Sequence, residues 1–311
     1  MSAGGKPWPP RGLCFAPRLG DYLARLEQEP LGSLFARPAA LGRALRRASE
    51  LLGLRVECLD VPAAWILHSA GWPATVGEHD VKLGPAPAEL RAPMETAGNG
   101  PLLAVREALR ALPPVSTSPA TLIALPSPAT LAQAAGEQLC SSGPHHGRDS
   151  GRIASPRRGE ADAREGASVA SGGGGGGAGP EVPEGGSAAG EGEADWARAV
   201  LQAFVRSVGE MNVLAGVMLD GDDAIPVLGR LLDHYQLTPV CIRRPADTRP
   251  HPPGVIVACA LPIEVLTGPA LATAWLASDT LVTTDGPVAA LVTPEDLLRV
   301  SRAVAAWIRS P

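Results

Sequence analysis

At 311 residues, with a net charge of −5 and 4% aromatic residues, the chain is long enough for one large domain whose core must be filled mainly by aliphatic side chains. Lys6 and Lys82 are the two lysines among 27 basic residues, and the acidic balance argues against a nucleic-acid surface, which needs a concentrated basic face. No run approaches 18 apolar residues and residues 1–12 lack an apolar centre, so neither a membrane span nor a secretory leader is expected. The five cysteines, Cys14, Cys58, Cys140, Cys241 and Cys259, are scattered without a CxxC or Cys/His ligand cluster. They read as reduced thiols of a cytoplasmic protein, and no metal or cofactor is expected.

In chain order, short apolar runs predict strands at 12–16, 55–59, 121–125, 214–219, 239–242, 255–260 and 280–284, with a weaker one at 81–83. Between them, apolar residues recur at helical spacing. The stretch 38–52 carries Leu41, Leu45, Leu51 and Leu52 among arginines, and 102–112 repeats Leu102, Val105, Leu109 and Leu112. Further helices are predicted at 196–208, 223–235 and 294–308, the last opening with Pro294 after Thr293 and with Glu295 and Asp296 at the positive end of the helix dipole.

Residues 141–194 interrupt this pattern. They hold six consecutive glycines, Gly172 to Gly177, and almost no large aliphatic side chains, too little apolar surface to offset the entropy of ordering the chain. The expectation is a disordered insert at 141–194 dividing a domain into parts 1–140 and 195–311. Leaving out those 54 of 311 residues gives 257, near the ~250 of a (β/α)8 TIM-type barrel. Seven or eight strand–helix units favour that closed barrel over an open sheet. Neither GxGxxG nor a Walker motif follows a strand, so nucleotide binding has little support.

In such a barrel, residues at the C-terminal strand ends line the site. Asp60 ends the second strand, either as a functional carboxylate or as the N-cap of the next helix. Arg18 follows the first strand and either binds a carboxylate or pairs with Asp21 across one helical turn. Arg243 and Arg244 end the strand at 239–242 and are expected to point into the mouth, where they could hold an anion. Asp285 ends the last strand, as a site or a turn residue. Asp220, Asp222 and Asp223 form either a cation site or an acidic turn that caps a helix. His68 and His234 read as surface histidines.

Four segments, in order, resemble the uroporphyrinogen decarboxylase superfamily, which includes haem-pathway decarboxylases and corrinoid-linked methyltransferases. Cys14-Phe15-Ala16-Pro17-Arg18-Leu19-Gly20-Asp21-Tyr22-Leu23 is similar to the motif F-M-R-Q-A-G-R-Y-L in its Phe, Gly, Tyr and Leu. Cys58-Leu59-Asp60 with Ala70-Gly71 resembles a strand ending in Asp before a helix. Leu125-Pro126-Ser127-Pro128-Ala129-Thr130-Leu131-Ala132 is similar to the segment G-P-x-T-L-A, and Leu281 to Gly286 with Thr293 to Leu297 looks like the last strand and helix of methyltransferase-like members. The resemblance implies a cofactor-independent lyase acting on a carboxylated tetrapyrrole. Asp60 would be catalytic, steadying pyrrole N–H groups, and Arg18, Arg243, Arg244 and Asp285 would bind substrate. The alternatives are a methyltransferase served by a corrinoid protein, or a non-catalytic binding protein on this barrel. Two arginines of the decarboxylase motif are here Pro17 and Asp21, and the zinc-binding H-x-C of the methyltransferases is matched only by Val240-Cys241-Ile242-Arg243 and Ala258-Cys259-Ala260, without the His.

Overall fold

The computed structural model describes residues 14–77, 81–87, 89–112, 119–141, 188–221, 223–244, 254–267, 281–288 and 292–307. The chain opens with β1 (Cys14–Phe15), β2 (Arg18–Leu19), α1 (Asp21–Glu27), α2 (Leu31–Phe35), α3 (Pro38–Leu52), β3 (Val56–Asp60) and α4 (Ala63–Ser69). It continues with β4 (Ala74–Val76), β5 (Val81–Leu83), α5 (Pro93–Ala97), α6 (Gly100–Arg110), β6 (Ala120–Leu125) and α7 (Pro128–Ser141). The second half holds α8 (Ala188–Gly209), β7 (Gly216–Leu219), α9 (Ile225–His234), β8 (Thr238–Arg243), β9 (Ile256–Leu261), α10 (Ile263–Thr267), β10 (Leu281–Thr284) and α11 (Pro294–Trp307).

Eight of these strands form one all-parallel sheet in the order β1-β10-β9-β8-β7-β6-β3-β2. Its two ends, β1 and β2, are successive pieces of one pass of the chain. Ala16 still donates its N–H to Val282 O at 2.8 Å, but Pro17 has no N–H and breaks the ladder. Arg18 N–H then turns to the Thr284 hydroxyl at 3.1 Å, while Arg18 and Leu19 pair with Cys58 and Leu59 of β3. The sheet is thereby curled into a TIM-type α/β barrel, as strand–helix alternation predicts.

Side-chain alternation builds two cores. The inward face of each strand contributes to a narrow interior of Cys14, Ala16, Val56, Cys58, Leu122, Ala124, Met218, Val240, Ile242, Ala258, Ala260 and Leu281. Contacts cross it: Cys58 Sγ lies 4.0 Å from Met218 Sδ, which the Thr283 hydroxyl reaches at 3.6 Å. The outward faces meet the helices in a larger core that takes the bulky rings, including Phe15, Tyr22, Phe35, Trp65, Trp72 and Phe204. Small side chains inside and large ones outside let a narrow barrel close.

Helix α3 shows how local sequence serves that outer layer. Pro38 sits in its first turn and Gly53, at φ 61°, ends it in the left-handed conformation that glycine adopts without strain. Leu41, Leu45, Ala48 and Leu52 are buried along one face, each leucine contributing ~1.5–3 kcal/mol of burial. Leu51, expected on that face, is 44% exposed, because it lies one position away from the 41-45-48-52 stripe. At α11, Thr293 and Asp296 cap each other: the Thr293 hydroxyl accepts from Asp296 N–H at 3.2 Å and Asp296 Oδ2 accepts from Thr293 N–H at 3.0 Å.

Two expectations need correction. Val81–Leu83 is a strand, but it pairs antiparallel with Ala74–Val76 in a separate hairpin, whose partly exposed side chains do not enter the barrel. Helix α8 begins at Ala188, so its first turns fall within the stretch 141–194 assigned to the insert; it packs against α7. Residues 142–187, which carry the glycine run and His145-His146, lie outside the described residues.

Candidate functional site

The C-terminal ends of β2, β3, β7, β8 and β10 bring five charged side chains to the mouth of the barrel. Asp60 ends β3 in the inward register set by Val56 and Cys58, and it is fully buried. Arg18, 8% exposed, follows the same inward register opposite Leu19, which packs outward. Its Nε donates to Asp60 Oδ1 at 2.5 Å. For both residues the purely local role is thereby set aside. Pro62, not Asp60, occupies the N-cap of α4, and Arg18 is a buried partner of Asp60 and not a surface residue.

Asp60 Oδ2 is buried and has no hydrogen-bond partner among the described residues. Such an oxygen is costly to leave unsatisfied unless a ligand completes it. Gly20 packs beside it: a Cβ there would sit 3.9 Å from Asp60 Oδ2 and 3.4 Å from Pro287 Cβ, ordinary van der Waals distances. Burial pushes the Asp60 carboxyl above its ordinary value, the Arg18 charge and hydrogen bond pull it back, and Asp220 raises it further.

Arg244 and Asp285 form the second pair. Arg244 Nε lies 3.1 and 3.2 Å from the two Asp285 oxygens, with side chains 66% and 32% exposed. This bond raises the Arg244 pKa, with Asp220 adding to it and Arg18 opposing it. Both pairs and Asp220 stand at C-terminal strand ends of the one parallel sheet. Asp220 follows β7, with Gly221 turning at φ 105°, but the cap of α9 is Ala224 and no side chain caps that helix. Asp222 lies outside the described residues.

Arg243 is not in this group. Val240 and Ile242 of β8 face the interior, so Arg243 and Cys241 lie on the opposite face, with Arg243 in register with Cys259. The expectation that Arg243 points into the mouth is corrected by this alternation. The same alternation bears on zinc. Cys241 and Cys259 share the outward face, away from Arg18 and Asp60, and no group of three His, Cys, Asp or Glu suited to a metal ion occurs among the described residues. Among the described residues, the donor set does not fit a thiolate zinc centre at the mouth. Cys58 lies under the mouth, but burial and the Asp60 charge push its thiol up, so it is a neutral interior side chain.

The histidines stand apart. His68 Nδ1 is 3.0 Å from Trp72 O, beside a cavity of about 360 Å³ lined by Phe35, Trp65, Val76 and Leu103 on the outside of the barrel. His234 packs edge-on against Tyr235 at 4.8 Å at the end of α9. Sequence reasoning missed Thr284, whose hydroxyl accepts the Arg18 backbone N–H, and the packing of Gly20 beside Asp60. Both depend on the meeting of the first and last strands, which no local pattern reveals.

No protein-family model and no curated protein matches the chain. Among solved structures, a methyltransferase from Methanosarcina mazei is similar, with a TM-score of 0.54 at 10% sequence identity, covering 97% of this chain and 96% of that one. At that identity the likeness speaks for the shared fold. No helix among the described residues is long and apolar enough to cross a membrane.

Proposed function

We propose that this barrel is a methyltransferase-type protein that binds a small carboxylated substrate at its C-terminal mouth, with a corrinoid-bearing protein as the methyl partner. One observation carries the substrate site: a fully buried Asp60 with one oxygen unsatisfied among the described residues, held by Arg18 where barrel enzymes bind their ligands. Arg18 spends its Nε on Asp60 and keeps its terminal nitrogens for a carboxylate, Arg244 adds a second guanidinium from β8, and Asp60 Oδ2 accepts a proton or hydrogen bond from the substrate. The methyl-transfer class is supported by the likeness in fold to the Methanosarcina mazei methyltransferase. The cytoplasm is the proposed compartment, since the five scattered cysteines form no disulfide framework pattern.

The decarboxylase reading has less behind it. With Pro17 and Asp21 in the first motif and Arg243 on the outer face, two guanidinium groups among the described residues remain for a polycarboxylate, and each already serves an aspartate. The test is a calorimetric titration of the full chain with small carboxylates and with uroporphyrin, alongside an assay for demethylation of methylcobalamin in their presence. Saturable carboxylate binding that Arg244→Ala weakens, with methyl loss from the corrinoid, is expected. Carbon dioxide release from uroporphyrinogen would restore the lyase, and no saturable binding of any carboxylate would remove the mouth as a substrate site.

A further inference from the structure

Among the described residues, the mouth holds more acid than base. Arg18 is matched by Asp60 and Arg244 by Asp285, and Asp220 is left over. Asp220 is partly buried and makes no ion pair among the described residues, yet its charge acts on Arg18, Asp60 and Arg244 alike. Among the described residues, three carboxylates therefore face two guanidinium groups. The excess acceptor capacity is not confined to the exposed rim, because the buried Asp60 Oδ2 beside it also has no donor among the described residues. An acidic pocket repels a ligand with several carboxylates, whereas a ligand with one carboxylate and one cationic nitrogen satisfies both halves.

We infer that the mouth is a zwitterion site, taking a small molecule that presents a cationic nitrogen to Asp220 and Asp60 Oδ2 and a single carboxylate to Arg18 and Arg244. This rests on the proposed carboxylate site and narrows its substrate class. The ammonium donates to Asp60 Oδ2, the acceptor that lacks a partner among the described residues, and Asp220 supplies the second negative charge.

The experiment compares isosteres on the full chain by calorimetry: γ-aminobutyrate against pentanoate, which has the same chain length and carboxylate but a methyl in place of the ammonium. Wild type is expected to bind the amino acid roughly tenfold more tightly, a difference of about 1.4 kcal/mol. Asp220→Asn, a substitution at a partly exposed position, is expected to erase most of the preference while leaving pentanoate affinity unchanged or improved. Equal affinities for the two isosteres, or tighter binding of uroporphyrin than of either, would overturn the zwitterion inference while leaving a carboxylate site in place. Absence of binding by all three would instead sink the carboxylate site itself, and the inference with it.

Discussion

Arg18 Nε and Asp60 Oδ1 meet at 2.5 Å between adjacent strands of the barrel, with both side chains almost entirely removed from water. Burying two charges is unfavourable even when they pair, and removing one is worse, because it leaves the other buried alone. Arg18→Ala is therefore expected to destabilise the protein by about 3–5 kcal/mol in urea denaturation. The double variant Arg18→Met with Asp60→Leu is expected to recover much of that loss. A double variant no more stable than Arg18→Ala would show that the pair is not the source of the cost.

The Arg244–Asp285 pair is exposed, and exposed pairs contribute little. Arg244→Ala is expected to change stability by less than about 1 kcal/mol while weakening carboxylate binding at the mouth. Arg243→Ala, on the opposite face of β8, is expected to leave that binding unchanged. Parallel titrations of the two variants check this. Equal losses of affinity would contradict the side-chain alternation along β8.

Glu57 faces outward from β3, 3% exposed, and accepts hydrogen bonds from Ser49 Oγ and Thr121 Oγ1, each at 2.7 Å. Burial raises its pKa above the ordinary 4.5, only partly offset by the Thr121 and Ser49 hydroxyls and the Arg46 charge. A raised folded pKa means the folded state binds this proton more tightly than the unfolded chain. Its stabilising contribution is complete below the unfolded value and is lost as pH rises through the folded one. Glu57→Gln lacks this titration. The melting temperature of wild type is thus expected to fall relative to Glu57→Gln as pH rises from about 4.5 towards neutrality. A difference that stays constant over that range would mean Glu57 has no raised pKa.

Two glycines should respond in opposite directions. A Cβ on Gly216 of β7 would lie 2.3 Å from Thr238 O in the neighbouring strand, a backbone atom that cannot move aside. Gly229, inside α9, has nothing within 4 Å among the described residues. Gly216→Ala is expected to destabilise the barrel by at least roughly 1–3 kcal/mol, and Gly229→Ala to stabilise it by about 0.5–1 kcal/mol through helix propensity. Chemical denaturation of both variants decides the matter.

The expected insert, trimmed to residues 142–187 between α7 and α8, leads to a deletion. Helices α7 and α8, which flank the interval, pack against each other, so a short link can join them. Replacing residues 142–187 by a short Gly/Ser linker is expected to leave the thermal midpoint within a few degrees. Loss of soluble, cooperatively melting protein would show that the excised stretch belongs to the fold.

The sequence by itself determined most of the barrel strands and five of the helices, but not the two-residue β2 or helices such as α1, α2, α4 and α5. Apolar runs bounded by turns mark the barrel strands to within a residue or two, and α3 emerges at 38–52 because Pro38 and Gly53 mark its ends and leucines its face. Asp60 and Arg18 were legible as site candidates because charged residues directly after apolar strands lie at the mouth of any such barrel. Tertiary structure decided how the charges are shared. Arg18 and Asp60 are 42 positions apart, and Arg244 and Asp285 41, so their pairing depends on which strands become neighbours and not on local spacing. Strand phase also separated Arg243 from Arg244. A strand shows alternate residues to opposite faces, and only the packing of Val240 and Ile242 in the interior fixes which of two adjacent arginines faces outward.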